Sequence, residues 1–526
     1  MFSVTPKADL KLILVGLIFI FSGCKKSNLE LDNNTFPALI SRTEIDAFIK
    51  NQLYSKYYFE WSSASTQMIW SAGEQSDHIF SIGYQLPGFK VDRTNIYNVN
   101  LENIEWQKEK NQLLQMILIS EQRLDPSLTL NKIIAWDENV LPVIDVTLRN
   151  PQTLKLLIAN NDIRYVEPMG YEPEAVVLNV KQNTSTDNGV ASSSGCGSNT
   201  ATLGLLQNVD YATISPAAKQ SWNYTYHNIP KAWSKATGKG VKVFIIDTGC
   251  EFDQENLGTS FNQGSSTGRT IEKIVTLPRE TFLGIPIGSV EIPDDGCGHG
   301  TAMAGACAAP RGTDGNACGV AYNCNLVTCR ASSDVYLDES REVKGAADAF
   351  TNAANRSDVK VISMSMGKIT SSSQLQDAIL FAYGKNKLIF CAAGTSFSWT
   401  SGWFGVIFPA WMSEVNAVTG VKDNNFNNTC ADCHSGSETD FTIVMERNTD
   451  QRKPLTLAMS GDIPSTIGGS SVSTATAAGI AALVWSKYTN YSRDQILNKL
   501  IQSSANYPNR NSSLGWGNLN AEAAVN

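Results

Sequence analysis

The sequence predicts an α/β protein with a mainly parallel sheet flanked by helices, preceded by a small α+β domain. Three observations lead to this fold class. After residue 221, apolar β-branched runs alternate with small-residue helical runs, as in parallel sheets with helical crossovers. A separate strand–helix–strand pattern lies upstream, at residues 143–168. The 526 residues exceed what one core usually holds, so two or three units are expected.

Composition excludes some classes of partner. A hydrophobic content of 42% is ordinary for a globular protein. The net charge of −8 gives no basic footprint for nucleic acid, so nucleic acid is not an expected partner.

Residues 1–24 have the pattern of a signal peptide. Lys7 and Lys11 precede the apolar run Leu12–Phe21, which is too short to span a bilayer comfortably. The run continues to Cys24 in a pattern that resembles a bacterial lipoprotein cleavage box, although that box usually has Leu in place of Phe21. The resemblance implies lipidation at Cys24 and an extracytoplasmic, membrane-anchored lipoprotein of the outer membrane or cell surface. An ordinary signal peptide with an incidental cysteine is the alternative, and it also places the mature protein outside the cytoplasm.

The small α+β domain is predicted at residues 41–173, after a polar tether at residues 25–40. Ser41 and Glu44 form a capping-box pattern that predicts the start of an amphipathic helix. Strands are predicted at residues 143–148 and 163–168, and between them Asn150 and Pro151 predict a helix start.

A flexible linker is predicted at residues 174–220. Residues 183–200 are rich in Ser, Asn, Gly and Thr and have little apolar surface to bury. Such a segment is a favourable place for proteolytic processing.

The third unit, residues 221–526, carries an acid, a base and a nucleophile in that order. Asp247 ends an apolar run that predicts a buried parallel strand, and sites in such sheets lie beyond the carboxyl ends of the strands. His299, one of only four histidines, opens a small-residue helix. Ser471 stands where two glycines lead into an Ala-rich helix, whose N-terminus favours developing negative charge. The predicted elements are 241–246, 299–309, 358–364, 373–383, 387–391, 415–420 and 471–486.

These three motifs resemble those of the subtilisin-like serine proteases, the subtilases, and the resemblance covers residues 221–526. It implies a subtilisin-like fold and a serine endopeptidase that hydrolyses polypeptides through an acyl-enzyme, with Asp247, His299 and Ser471 as the catalytic triad. Asp294 and Asp295 also lie close to His299 in sequence, but the family pattern makes them loop residues. Residues 41–173 resemble a subtilase propeptide, which assists folding and then blocks the cleft. A permanent accessory domain is the alternative.

The resemblance also assigns substrate contacts. It gives the edge that pairs with substrate to Ser365, Met366 and Gly367, with Gly367 leaving room beside an apolar P1 side chain, and it adds Gly394 to the substrate site. The oxyanion is assigned to Ser471 and to position 395, where Thr395 replaces the usual Asn. Losing such a donor costs about 10²–10³ in rate, a magnitude measured in subtilisin itself.

Three functions fit these residues. The first is a general extracytoplasmic endopeptidase, and the second is a dedicated processing protease for one secreted peptide or precursor. The third, suggested by Thr395, is a catalytically weak peptide-binding lipoprotein. The triad chemistry requires no cofactor. Structural calcium is common among subtilases, but no acidic loop here identifies its ligands.

Cysteine usage points to disulfide bonds. Eleven cysteines less Cys24 leave ten, an even number in a compartment that permits disulfides, although sequence does not give the pairing. Cys250 and Cys297 lie within three residues of Asp247 and His299, and they are either bonded or buried thiols. Residues 430–434 also match the Cys-x-x-Cys-His haem-attachment pattern, but a disulfide or a local metal site is favoured because no second axial ligand lies nearby.

Overall fold

The computed structural model describes residues 36–174, 196–197, 199–282, 285–395, 405–431 and 433–526, without side chains at 281–286. The signal peptide, Cys24 and nearly all of the tether lie outside these ranges, as does the linker segment 175–195. The described residues from Ala38 to Asn526 form one compact unit.

The N-terminal region is a four-stranded antiparallel sheet with helices. The strand order is β2-β3-β1-β4. The predicted capping box opens the first helix, where the Ser41 N–H donates to Glu44 Oε2 over 3.1 Å and the Glu44 N–H to Ser41 Oγ over 3.3 Å. The elements are α1 (Arg42–Lys56), α2 (Thr66–Glu74), β1 (Ile79–Tyr84), α3 (Ile104–Glu121), α4 (Leu130–Ile133), β2 (Ile134–Trp136), β3 (Val143–Thr147), α5 (Pro151–Ile158) and β4 (Ile163–Pro168).

The structure differs from the predicted linker in its second half. Two strands, β5 (Tyr211–Ile214) and β6 (Ala218–Ser221), pair as an antiparallel hairpin. Upstream of them, the Thr202 N–H donates to the carbonyl of Pro464 over 2.9 Å. The polar composition gave no sign of this order because the partner is more than 250 residues away in the chain.

The remainder forms a seven-stranded sheet in the order β15-β14-β13-β12-β7-β11-β8, in which every pair of neighbours is parallel. This arrangement confirms the predicted fold class. The elements are α6 (Ile229–Ala232), β7 (Lys242–Asp247), β8 (Ile271–Val275), β9 (Thr281–Phe282), β10 (Ile285–Pro286), α7 (His299–Ala308), β11 (Asn325–Arg330), α8 (Ser340–Asn355), β12 (Val359–Met364), α9 (Ser373–Gly384), β13 (Leu388–Ala392), β14 (Asn416–Lys422), β15 (Thr439–Glu446), β16 (Leu455–Thr456), β17 (Ser465–Thr466), α10 (Gly469–Lys487), α11 (Arg493–Ser503) and α12 (Ala521–Ala524).

Strand β7 lies at the centre of this sheet, and all six of its residues are buried. Such a strand needs apolar side chains on both faces, which explains why its sequence does not alternate with polar residues. Helix α10 packs on β12, β13, β14 and β15 and also against α7. Both helices also contact the central strand β7.

The N-terminal sheet packs on α9 through polar contacts. Arg164 of β4 donates to both carboxylate oxygens of Asp377, over 3.0 and 2.6 Å. Glu167 accepts from the hydroxyl of Ser373 over 2.9 Å, at the start of α9. Planar, bidentate pairs of this kind fix orientation as well as adding energy.

Two disulfides are present among the described residues. One joins Cys196 to Cys297 and the other joins Cys430 to Cys433. The second bond pairs the two cysteines of the Cys-x-x-Cys-His pattern with each other, which agrees with one of the two interpretations that the sequence left open, a disulfide or a local metal site. Cys250 is a buried free thiol whose pKa burial raises to about 12, so it behaves as a small apolar side chain. Within the described residues, no helix has both the length and the apolar composition that a membrane crossing requires.

Candidate active site

Asp247 and His299 are in direct contact. Asp247 is the last residue of β7 and His299 is the first residue of α7. Their side chains are 1% and 3% exposed, and His299 Nδ1 lies 2.7 Å from Asp247 Oδ1. A buried carboxylate at this distance holds the proton on Nδ1 and leaves Nε2 as the basic nitrogen.

The surroundings of His299 favour its charged form. Burial alone would lower the pKa of the imidazole, because it disfavours the charged ring. The Asp247 carboxylate and its hydrogen bond outweigh burial and raise the pKa of His299 above its usual value. Asp295 and Asp334 add to the same effect. The ring is therefore a better proton acceptor than a free histidine.

A second carboxylate organises the loop before α7. Asp295 is fully buried and accepts from the Gly298 N–H over 2.8 Å and from the Thr301 N–H and hydroxyl, each over 2.7 Å. It also accepts from the hydroxyl of Thr248 over 2.8 Å, and that hydroxyl in turn accepts from the Gly300 N–H over 2.9 Å. Asp295 thus links the residue after Asp247 to the first turn of α7.

The close approach of two chain segments, the start of α7 and the residues after β7, requires glycine at position 300. A Cβ at this position would lie 2.3 Å from the carbonyl oxygen of Gly249, a distance that real Cβ atoms do not reach. Only a residue without a side chain lets the start of α7 approach the end of β7 in this way. The glycine therefore contributes to the contact between Asp247 and His299.

Ser471 lies in the first turn of α10. It is the third residue of the helix, which starts at Gly469. The first four N–H groups of a helix have no partner inside it, so the Ser471 N–H is a donor at the positive end of the helix dipole. Ser470 is buried, whereas Ser471 is partly exposed. Ser471 is therefore the hydroxyl of this pair that solvent or substrate can reach.

Hydrogen bonds hold the Ser470–Ser471 pair between the ends of two strands. The Ser365 hydroxyl, just beyond β12, donates to the Ser471 carbonyl over 3.0 Å. The Ser470 hydroxyl donates to the carbonyl of Gly394, just beyond β13, over 3.0 Å. The structure thus brings two predicted substrate residues, Ser365 and Gly394, beside the predicted nucleophile.

The predicted substrate edge is already hydrogen-bonded within the chain. The Gly367 N–H donates to the carbonyl of Val335 over 3.2 Å, and its own carbonyl accepts from the Leu337 N–H over 3.0 Å. Met366 is buried. An added substrate strand would have to displace the segment 335–337 before it could pair with Gly367.

The predicted oxyanion position has close neighbours from a later loop. Thr395 is partly exposed and forms an antiparallel bridge with Cys433. The carbonyl of Gly394, which has φ +116°, also accepts from the His434 N–H over 3.0 Å. Ser396, the other candidate donor, lies outside the described residues.

Part of the predicted linker, at Cys196 and Asn199, reaches the loop that carries His299. The Cys196–Cys297 disulfide joins it to this loop two residues before His299. Asn199 Nδ2 donates to the carbonyls of Gly298 and Leu457, over 3.2 and 2.8 Å. Sequence reasoning missed Asn199, as it missed the role of Asp295. No capping signal pointed to Asp295, because the N-cap position of α7 is occupied by Gly298 and Asp295 lies three residues before it.

Comparisons with known proteins match the part of the chain that carries these residues. The family model described as the Subtilase family matches residues 238–517. Alkaline elastase YaB of Bacillus sp. (strain YaB) is 28% identical over 315 residues, which cover 60% of this chain and 72% of that protein. Subtilisin DY of Bacillus licheniformis is 30% identical over 293 residues, 55% of this chain and 92% of that protein. The epidermin leader peptide processing serine protease from Staphylococcus aureus is 18% identical and shares the fold, with a TM-score of 0.57 over 86% of this chain and 99% of that one.

Proposed function

The chain belongs to the subtilase family of serine proteases, and from this premise we propose that it is an extracytoplasmic endopeptidase with Asp247, His299 and Ser471 as its catalytic triad. The observation that carries the proposal is the buried 2.7 Å contact between His299 Nδ1 and Asp247 Oδ1. Nε2 of His299 takes the proton of Ser471 Oγ as that oxygen attacks a peptide carbonyl, and the ring then gives the proton to the leaving amine. Water hydrolyses the resulting acyl-enzyme by the same steps, and Asp247 stabilises the charged ring in both.

The oxyanion would be held by the N–H of Ser471 and by Thr395. The helix N-terminus supports the first assignment, because its N–H groups have no partner inside the helix. The Thr395 hydroxyl has a shorter reach than the usual Asn side chain. We therefore expect slower turnover than in a subtilase that carries Asn at this position.

We propose that the N-terminal domain inhibits the enzyme by holding the substrate edge closed. The support comes from Glu172, a fully buried residue just beyond β4. Its carboxylate accepts from the N–H groups of Ile369 and Thr370, each over 3.2 Å, and pairs with Lys368 Nζ over 3.3 Å. It also accepts from the hydroxyls of Tyr336 and Thr370. We call these five residues the Glu172 cluster: Glu172, Tyr336, Lys368, Ile369 and Thr370.

The Glu172 cluster joins the two sides of the closed edge. Tyr336 belongs to the segment that pairs with Gly367, and Lys368 to Thr370 follow Gly367 directly. As long as Glu172 stays in place, the segment 335–337 occupies the hydrogen bonds that a substrate strand would use. Departure of the N-terminal domain would remove the hydrogen bond from Tyr336 to Glu172, although the Tyr336 hydroxyl would still accept from the Ile369 N–H over 3.0 Å. The segment 335–337 would then be held less firmly and could move away.

The sequence also supports proposals about where the protein is located and which cofactors it needs. Lipidation at Cys24 would anchor the unprocessed chain to the outer membrane or cell surface. The proposed chemistry needs no cofactor, because the three side chains supply every proton transfer. Among the described residues, no three His, Cys, Asp or Glu side chains are grouped to hold a metal ion, so a structural calcium site stays unlocated.

Two other functions have specific support. The closed edge and Thr395 favour a dedicated processing protease, which acts on one secreted peptide or precursor once it is unlocked. Thr395 alone favours a catalytically weak peptide-binding lipoprotein. Digestion of unfolded casein separates a general endopeptidase, which degrades it, from a processing protease, which leaves most of it intact.

A fluorophosphonate probe tests the catalytic proposal. We expect labelling of the wild-type protein, loss of labelling in Ser471→Ala, and retention in Ser473→Ala. Ser473 is a matched control because it lies in the same helix and its hydroxyl donates to the carbonyl of Gly469, one turn back, over 2.8 Å. Equal labelling of wild type and Ser471→Ala would exclude Ser471 as the nucleophile.

A further inference from the structure

Ile407 occupies the space between the two strand ends that flank Ser471. A Cβ on Gly367 would lie 2.6 Å from Ile407 Cδ1, and a Cβ on Gly394 would lie 3.1 Å from the same methyl group. Gly367 lies two residues after Ser365, whose hydroxyl donates to the carbonyl of Ser471. Gly394 accepts a hydrogen bond from the hydroxyl of Ser470, the neighbour of Ser471. Both glycines therefore lie close to the predicted nucleophile. One methyl group therefore faces both glycines at the place where a side chain next to the scissile bond would enter.

The Ile407 side chain is held there by its main chain. The Ile407 N–H donates to the carbonyl of Ala393 over 3.0 Å, which ties it to the Gly394 side. The next residue, Phe408, accepts from the Lys368 N–H over 3.0 Å, which ties it to the Gly367 side. The residue is 7% exposed. Because both sides are fixed, the backbone of Ile407 cannot move away from the two glycines without breaking main-chain hydrogen bonds.

We propose that Ile407 is a specificity-determining residue that restricts the P1 position to glycine, alanine and serine. This inference rests on the proposed endopeptidase function and narrows it. Without the isoleucine, the space beside Gly367 and Gly394 would admit a larger P1 side chain, such as the apolar one that the family resemblance implies. The isoleucine fills that pocket, and forcing extra carbon atoms into a filled apolar site is destabilising. A single methylene in such a pocket changes specificity by about 10- to 200-fold.

The test uses the full-length protein with Glu172→Gln in every variant, because this substitution is expected to release the segment 335–337 that closes the substrate edge. The two peptide substrates differ only at P1, alanine against phenylalanine. With Ile407 in place, the wild type at this position, we expect kcat/KM to favour alanine by at least about tenfold, which is the lower end for one methylene. In Ile407→Ala we expect this ratio to fall by at least the same factor. Ile407→Val, which removes one methylene, should shift the ratio in the same direction, and the core substitution Ile379→Val should leave it unchanged. Equal cleavage of both substrates by the wild type, or an unchanged ratio in Ile407→Val, overturns the proposal.

Fluorophosphonate labelling separates failure of this proposal from failure of the catalytic one, because the probe carries no P1 side chain. If Ser471 is not labelled, the endopeptidase function fails and the pocket is tested by binding. Acetylated tetrapeptides ending in alanine or phenylalanine are titrated into the double variant Glu172→Gln, Ser471→Ala, whose substrate edge is expected to be open, and binding is followed by tryptophan fluorescence. Tighter binding of the alanine peptide by about tenfold or more supports the role of Ile407, and equal binding of the two overturns it.

Discussion

Replacing Glu172 with glutamine should open the substrate edge. The substitution keeps the shape of the side chain but removes its charge. Lys368, which is 1% exposed, then stays buried without its anionic partner. Breaking a buried pair by removing one member costs about 3–5 kcal/mol. At about 1.4 kcal/mol per factor of ten, the fraction of molecules with an open edge should rise by about 10²–10⁴.

Hydrogen exchange of the intact chain measures this opening. The experiment is done in Ser471→Ala protein, so that self-cleavage does not remove the N-terminal domain. We expect faster exchange at two amides of the closed edge, Gly367 and Leu337, which hydrogen-bond across it. Glu174→Gln is the matched control, because Glu174 is exposed and lies two residues away.

A double variant tests whether the unpaired charge of buried Lys368 causes the faster exchange in Glu172→Gln. Lys368→Met removes the cation that Glu172→Gln leaves behind, so the double variant should recover part of the lost protection. Two results would refute the reasoning about the Glu172 cluster. One is unchanged exchange in Glu172→Gln, and the other is the same loss of protection in Glu174→Gln.

Three further predictions concern catalysis, pH and covalent structure. The rate of fluorophosphonate labelling should rise with pH and reach half its maximum above about pH 6.5, because the pKa of His299 is raised. The substitution Asp247→Asn should slow this labelling by about 10⁴. A labelling rate that does not change from pH 5 to 8 would exclude His299 as the base. Glu167 and Asp145 contact α9, and burial raises the pKa of each carboxyl to about 7. Both carboxyls lose their protons more easily once the domains separate and expose them to water. The contact between the N-terminal domain and α9 should therefore weaken as the pH rises from about 4.5 to 7. Exchange in α9, corrected for its intrinsic pH dependence, should show lower protection at pH 8 than at pH 5, and the reverse order would contradict this sign. A non-reducing peptide map should join Cys196 to Cys297 and leave Cys250 free, and a map that pairs Cys250 instead would contradict the structure.

The sequence predicted the parts of this molecule that local patterns encode. The capping box at Ser41, the N-cap at Asn150 and the buried strand that ends at Asp247 each depend on a few neighbouring residues. The candidate triad was found in the same way, because each member stands at the junction of a turn with a strand or helix. Such junctions have strong backbone requirements that glycine and small residues make visible.

The residues that sequence reasoning missed act through distant partners. Glu172 meets Ile369 and Thr370 almost 200 positions later in the chain, and Asn199 meets Leu457 after more than 250. Ile407 is equally invisible, since an isoleucine in an apolar stretch predicts only burial. Its position between Gly367 and Gly394 follows from how β12 and β13 end, which only the folded chain reveals.

If Cys24 carries the proposed lipid, the position of residues 175–195 in the chain determines which fragment would keep it. Cys24 lies before residues 175–195, whereas both cysteines of the Cys196–Cys297 bond lie after them. A cut in that interval would leave the acyl chain on the inhibitory fragment and the disulfide on the protease fragment. From then on, only non-covalent contacts such as Arg164 with Asp377 would retain the protease at the bilayer. Activation and shedding into the medium would then be one and the same event.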